Sequence, residues 1–245
     1  MPHAAYVLGA RGGIGIAVTE RLMRSGDDVY ACWRSSDPEL VSHYSALARD
    51  CGVRALCEEF DASKIDELEF RFQRAESDFA PCQKLVVTVG SLSPALLLTE
   101  DEDGLERAWR LNFLVPVMAA RAVARTMMRS RKGSIVFMSS IRATHPERGT
   151  LAYGSSKAAL EAAVRILAQE LTPFGITVNA VALGPVASGM LAEASEVSVR
   201  EMLEGCPAGR FCTPDEAASA VHFLLSDEST HISGSVLSVD GGSRW

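Results

Sequence analysis

Short apolar runs alternate with stretches of helical period along the whole chain, and that alternation leaves few folds open. The runs Ala5–Leu8, Val29–Trp33, Ala55–Phe60, Leu85–Val89, Ser134–Met138, Thr177–Val181 and Val236–Val239 read as strands. Helical periods fill 14–25, 38–51, 64–79, 103–130, 152–173 and 213–226. Near-continuous apolar strands separated by helices predict an α/β fold, a doubly wound parallel sheet of about seven strands with helices on both faces. No linker, repeat or low-complexity tract interrupts the pattern, so residues 1–245 are expected to form one Rossmann-type domain. The segment 186–211 carries small and acidic residues with weak periodicity and is a candidate lid.

Composition narrows the function. The chain is 47% hydrophobic, enough for a large core, and its net charge of −7 argues against a general affinity for nucleic acid. No apolar run reaches about 18 residues without a charge, so no membrane span is expected. The N-terminal residues run straight into a strand pattern without a signal peptide. The six cysteines lack CxxC spacing, so reduced thiols in a cytoplasmic protein are expected, with no metal site.

The first strand ends in Gly9-Ala10-Arg11-Gly12-Gly13-Ile14-Gly15, and a helical pattern follows. Glycines there let the backbone turn tightly and approach a pyrophosphate, which the helix N-terminus attracts. The tip of strand two reads Cys32-Trp33-Arg34-Ser35-Ser36, with no acid to hold a ribose 2′-hydroxyl. Arg34, joined by Arg11, suits a 2′-phosphate, so NADP(H) is expected over NAD(H). The alternative for Arg34 is an ordinary solvated loop residue. Asp61, closing strand three, suits an adenine amine or, alternatively, a helix N-cap.

Tyr153 and Lys157 stand one helical turn apart, with Ser140 thirteen residues upstream. An ammonium beside a phenol favours the phenolate, so the Tyr153 pKa is expected to fall towards working pH. Such a Tyr exchanges a proton with a carbonyl or alcohol oxygen, and a nearby Ser hydrogen-bonds that oxygen. The spacing is common by chance, and context decides.

That context resembles the single-domain branch of the short-chain dehydrogenase/reductase family across essentially the whole chain. The glycine signature Gly9…Gly13-Ile14-Gly15, Asn112 in Leu111-Asn112-Phe113, Ser140, Tyr153-x-x-x-Lys157, Val178-Asn179-Ala180-Val181 and Val239-Asp240-Gly241-Gly242 carry the resemblance. It implies that Tyr153 is the acid/base, that Lys157 lowers its pKa and binds the nicotinamide ribose, and that Ser140 holds the substrate oxygen. Asn112 is implied to anchor a proton-relay water. The resemblance further assigns Gly9, Arg11, Gly12, Gly13, Ile14, Gly15, Arg34, Ser35, Asp61, Ala62, Gly90, Val186 and Ser188 to the cofactor, with Tyr153 and Lys157. Arg142 and Met190 are the candidate substrate contacts. Departures cluster in the cofactor pocket. Leu8 replaces the usual Thr, and Val87-Thr88-Val89-Gly90 replaces Asn-Asn-Ala-Gly. Leu183-Gly184-Pro185 stands where Pro-Gly is usual, and Ser188 stands for Thr. None removes a proton-transfer group.

The whole pattern is most similar to 3-oxoacyl-acyl-carrier-protein reductases and related ketoreductases, which implies a β-ketoacyl thioester substrate and a homotetramer or homodimer. An acidic carrier protein calls for a basic patch at the cleft mouth, and Arg125, Arg129, Arg131 and Lys132 are candidates. They equally suit a helix C-terminus. Phe174 stands where such reductases often place a second carrier-binding cation. The loop Ile141–Thr150 is charged, and Arg142 or Arg148 there is a candidate for an anionic substrate group. Two other readings are a reductase or alcohol dehydrogenase of a free small molecule, and a catalytically silent NADP-binding partner.

Overall fold

The computed structural model describes residues 3–188 and 196–243. One parallel sheet gathers seven strands: β1 (Ala4–Leu8), β2 (Asp28–Trp33), β3 (Ala55–Glu59), β4 (Cys82–Val87), β5 (Gly133–Ser140), β6 (Ile176–Leu183) and β7 (Val236–Val239). Their spatial order is β3-β2-β1-β4-β5-β6-β7, the doubly wound sheet that the alternation predicts. The chain starts mid-sheet, winds outward to β3, crosses back to β4 and winds out to β7. The switch between β1 and β4 opens a crevice at the strands' carboxyl ends, the place where such sheets bind ligands.

Helices α1 (Gly13–Arg24), α2 (Pro38–Cys51), α3 (Ile65–Asp78), α4 (Glu102–Trp109), α5 (Val115–Ser130), α6 (Leu151–Leu171), α7 (Glu196–Glu204) and α8 (Pro214–Leu225) connect or follow the strands. The strand period of two sorts side chains onto the two faces. Tyr6 and Leu8 join a core under α3, α5 and α6, whereas Ala5 and Val7 join one under α1, α2 and α8. Both layers cover the sheet, so β1 is wholly buried and reads as an unbroken apolar run.

Three elements differ from the sequence expectation. Strand β4 begins at Cys82 rather than Leu85, because Gln83 and Lys84 carry no apolar signal. Lys84 spans the strand's start and reaches Asp27 at 2.6 Å. The helical stretch 103–130 holds a π-turn at Arg110–Leu114 between α4 and α5, where the Val115 N–H reaches back to the Arg110 carbonyl. Part of the unplaced segment 186–211 is helical, as α7.

Candidate active site

The glycine loop is shaped by its contacts. Gly9 has φ +99°, and a Cβ there would stand 2.6 Å from Thr88 Oγ1. A Cβ on Gly15 would lie 2.2 Å from the Gly9 carbonyl oxygen, so α1 packs directly onto the turn. Gly12 differs: its Cβ would face open space, with Gly9 O at 3.9 Å its nearest neighbour. That space lies before the first turn of α1, which has no side-chain cap and no acidic residue. Such a helix end is a ready anion site, and the cradle fits a dinucleotide pyrophosphate.

Two residues that sequence reading did not single out as binding residues pin this loop. The Thr88 hydroxyl donates to the Gly9 carbonyl at 2.9 Å, tying the segment after β4 to the turn. The Tyr44 hydroxyl donates to the Ala10 carbonyl at 2.5 Å. No local motif marks Tyr44, because α2 brings it from thirty-four residues away. Ser188 closes the far side, since a Cβ on Gly13 would meet its Cβ at 2.8 Å.

Beyond the tip of β2, Arg34 and Ser35 are exposed. Arg11 is engaged with Asp37, its Nε 2.8 Å from Oδ2. Asp37 caps α2, and the Leu40 N–H together with Arg11 holds its carboxyl below the usual range. The sequence reading counted no acid at this tip, and the fold brings Asp37 to it. Asp61 is not a helix cap, because α3 starts at Ile65 after Lys64. Its Oδ1 accepts the Ser63 N–H at 3.0 Å. Burial works to raise its pKa, but hydrogen bonds from Ser63 and the charges of Arg34 and Lys64 hold it below the usual range. Ala62 beside it is buried.

On the proton side, β5 ends on Ser140, and α6 carries Tyr153 and Lys157 on one face. Ser140 Oγ accepts the Arg142 N–H at 3.2 Å, and its side chain acts to lower the Tyr153 pKa. Lys157 is 3% exposed, donates from Nζ to the Met138 carbonyl at 2.7 Å, and lies 5.8 Å from the Tyr153 ring centroid. The expected fall of the Tyr153 pKa is overturned: burial raises it, against the pull of Ser140 and Arg142. The phenol's own burial is the largest influence, and Lys157, turned to the Met138 carbonyl and itself lowered to about 8 by burial, does not offset it.

Asn112 sits in the π-turn, fully buried. Its Oδ1 accepts the Ser91 N–H at 2.9 Å, and its Nδ2 donates to Ser91 O at 3.0 Å and Ser156 Oγ at 3.1 Å. The side chain therefore fixes the loop after Gly90, and a Cβ on Gly90 would stand 3.0 Å from Asn112 Oδ1.

These groups border one cleft of about 210 Å³, lined by Ile14, Thr88–Leu92, Met138–Arg142, Glu147, Thr150, Tyr153, Lys157, Leu183–Val186, Ser188 and Met202. Arg142 lines it, whereas Arg148 is exposed on the loop beyond. Met190 lies outside the described residues. Within one chain Arg125, Arg129, Arg131 and Lys132 lie towards the opposite, N-terminal edge of the sheet, where α5 runs into β5. There Arg131 donates to the Pro173 carbonyl at 2.9 Å and Lys132 pairs with Asp227 at 3.3 Å. Among the described residues, no group of three or more His, Cys, Asp or Glu gathers to hold a metal, and no helix is long and apolar enough to cross a membrane.

A family model described as "Enoyl-(Acyl carrier protein) reductase" matches residues 9–244. The "Uncharacterized oxidoreductase YmfI" of Bacillus subtilis is 31% identical over 242 residues, covering 99% of each chain. The 3-oxoacyl-[acyl-carrier-protein] reductase MabA of Mycobacterium tuberculosis is 30% identical over 240 residues, 98% of this chain and 92% of that protein. A mutant Serratia marcescens short-chain dehydrogenase/reductase superposes with a TM-score of 0.91 at 28% identity, covering 98% of this chain and 97% of the other.

Proposed function

The chain belongs to the short-chain dehydrogenase/reductase family of nicotinamide-dependent oxidoreductases, and from that premise we propose that it is an NADP(H)-dependent ketoreductase. The observation that carries this reading is the convergence of Ser140, Tyr153 and Lys157 on one cleft that runs up to the glycine cradle. Bound NADPH supplies the hydride. Gly9, Gly12, Gly13, Ile14 and Gly15 offer backbone to its pyrophosphate, and Arg34 with Ser35 faces a 2′-phosphate. Asp61 and Ala62 flank the adenine side. Gly90, Val186, Ser188 and Lys157 border the nicotinamide end.

The chain's own part is proton handling. Ser140 holds the carbonyl oxygen, and Tyr153 gives that oxygen its proton as charge develops there. A Tyr whose pKa burial raises keeps its proton at neutral pH, which suits reduction over oxidation. Asn112 holds the Gly90–Ser91 backbone against α6 and acts as a positioning residue.

For the substrate, the relatives favour a β-ketoacyl thioester on an acyl carrier protein. A second reading, a free small-molecule ketone, is favoured by the Arg142–Glu147 ion pair in the cleft and by the distance of the α5 cations from it. The test follows NADPH oxidation with a β-ketoacyl thioester and with a panel of free ketones. Turnover of either selects its reading. NADPH binding without turnover on both sinks the ketoreductase and leaves a silent NADP-binding partner.

The same reading takes the protein as cytoplasmic and as a homotetramer or homodimer. Apolar side chains stand exposed along α4 and the start of α6, at Leu105, Trp109 and Leu151.

A further inference from the structure

The end of β5 carries Ser140 to the cleft, and the sheet supports it on one side only. Its pairing with β6 runs on through Ser139 with Ala182 to Ser140 with Leu183. Strand β4, ending at Val87, pairs with β5 only as far as Phe137. The last three residues, Met138 to Ser140, thus lie beyond the reach of β4, beside the crevice. Helix α6 holds them instead. Lys157 Nζ donates to the Met138 carbonyl at 2.7 Å, and the Ser139 hydroxyl donates to Glu161 Oε1 at 2.8 Å.

Glu161 is a costly residue for that position. By the strand period Ser139 shares the face of Ile135 and Phe137, which join Leu160, Val164 and Ala168 in the core under α6. An apolar pair would continue that face. Instead Ser139 is 3% and Glu161 4% exposed. Arg165, one helical turn on, brings its guanidinium only to 3.8 Å from Oε2 and is itself largely exposed, so it balances the carboxylate weakly. A carboxylate buried on so few partners costs stability that a leucine would not. Tyr153, Lys157 and Glu161 follow one another at four-residue steps along one side of α6, so the residue that grips Ser139 is in line with the two that border the cleft.

We propose that Glu161 is a positioning residue for the reduction: through the Ser139 hydroxyl it fixes the end of β5 against α6 and so sets Ser140 against Tyr153. This rests on the reading of Ser140 and Tyr153 as the residues that hold and protonate the carbonyl oxygen. Glu161 does not line the cleft, and it acts through its neighbours. A carboxylate accepts and cannot donate, so the Ser139 hydroxyl has one role in the bond and one direction to point. Loss of that bond lets the tip of β5 shift, and a shift of about 1 Å at a reacting group is enough to slow chemistry a hundredfold.

The first arm of the test needs no substrate. The chain has four tyrosines, so NMR of the full protein with ring-labelled tyrosine resolves them, and Tyr153→Phe assigns the Tyr153 signal. Ser140→Ala is expected to move that signal, because Ser140 acts on the phenol. Ser139→Ala and Glu161→Leu are expected to move it as well, with Tyr6, Tyr30 and Tyr44 unmoved. The second arm follows NADPH oxidation with whichever of the β-ketoacyl thioester or free ketones is turned over. Glu161→Leu is expected to lower kcat by about ten- to a hundredfold with the NADPH Kd unchanged, and Glu161→Gln, which keeps an acceptor, to retain most of it. The double variant Ser139→Ala/Glu161→Leu puts apolar side chains at both positions. It is expected to melt near or above wild type while its kcat falls no further than in Glu161→Leu. A Tyr153 signal that moves in Ser140→Ala but not in Ser139→Ala overturns the proposal, as does a kcat that falls only in step with melting temperature and NADPH affinity. Ser139→Ala removes one hydroxyl and carries the test even where Glu161→Leu fails to fold. A Tyr153 signal unmoved by Ser140→Ala, or full reduction by Tyr153→Phe, instead sinks the underlying reading and the proposal with it.

Discussion

Tyr153 and Lys157 illustrate how burial and charge compete at a single residue. Desolvation raises the Tyr153 pKa and lowers that of Lys157 to about 8, each favouring the neutral form. Reduction is therefore expected to hold steady from neutral pH to about 9 and to decline only as Tyr153 ionises above its ordinary value near 10. An alkaline limb near neutrality would contradict this. Removing the hydroxyl in Tyr153→Phe should lower kcat by at least about 10²-fold while the fold persists. Lys157 also makes stability depend on pH. Its pKa is lower folded than unfolded, so between about 8 and 10.5 the unfolded chain binds more protons, and stability rises with pH across that window. Below it the folded state bears a charge penalty on the order of 3 kcal/mol. Without cofactor, Lys157→Met should be more stable than wild type at pH 7, less the lost bond to Met138, and that gap should narrow by pH 10. Paired thermal melts at the two pH values decide it. At the other end of the cleft, Arg34→Ala is expected to weaken NADPH binding by about ten- to a hundredfold and leave NADH nearly unchanged. Equal losses for both cofactors would remove Arg34 from the 2′-phosphate.

Among the elements, the π-turn between α4 and α5 shows what one residue of extra winding does. It opens the helix at Arg110–Leu114 and carries the buried Asn112, whose amide pairs with both backbone groups of Ser91 and with Ser156. Three elements thus meet on one side chain: the π-turn, α6 and the segment that leaves β4. Asn112→Ala removes these bonds, at about 1–3 kcal/mol for the buried Ser156 and less for the half-buried Ser91 groups. The expected result is a marked loss of thermal stability together with a raised KM for NADPH, because Gly90 shifts with Ser91. An unchanged melting temperature would show that water replaces the amide. The helical period of 103–130 was plain in the sequence, but the π-turn within it was not. The two windings present almost the same apolar pattern, and what distinguishes them is the pull of Ser91 and Ser156 from elsewhere in the chain.

At the scale of the whole molecule, the exposed Leu105 and Trp109 of α4 line a groove against Ala152 and Ser155 of α6, and Leu151 at the start of α6 is exposed as well. Apolar patches of this kind mark interfaces. If the proposed homo-oligomer pairs through this groove, Trp109→Glu is expected to shift it to smaller species in analytical ultracentrifugation, and a wild type that sediments as a monomer at micromolar concentration rules the interface out. The sequence by itself determined the layered parallel sheet, since burial on both faces writes every strand as an apolar run. It also determined the positions of the glycine cradle and of Ser140, Tyr153 and Lys157, whose chemistry depends on residue type at short spacing. Tertiary structure alone decided which way the Tyr153 pKa moves, that Asp37 meets Arg11, that Thr88 and Tyr44 pin the glycine turn, and that Arg142 rather than Arg148 enters the cleft. Each of these depends on desolvation or on contact between segments distant in the chain, and neither leaves a periodic signal in the order of residues.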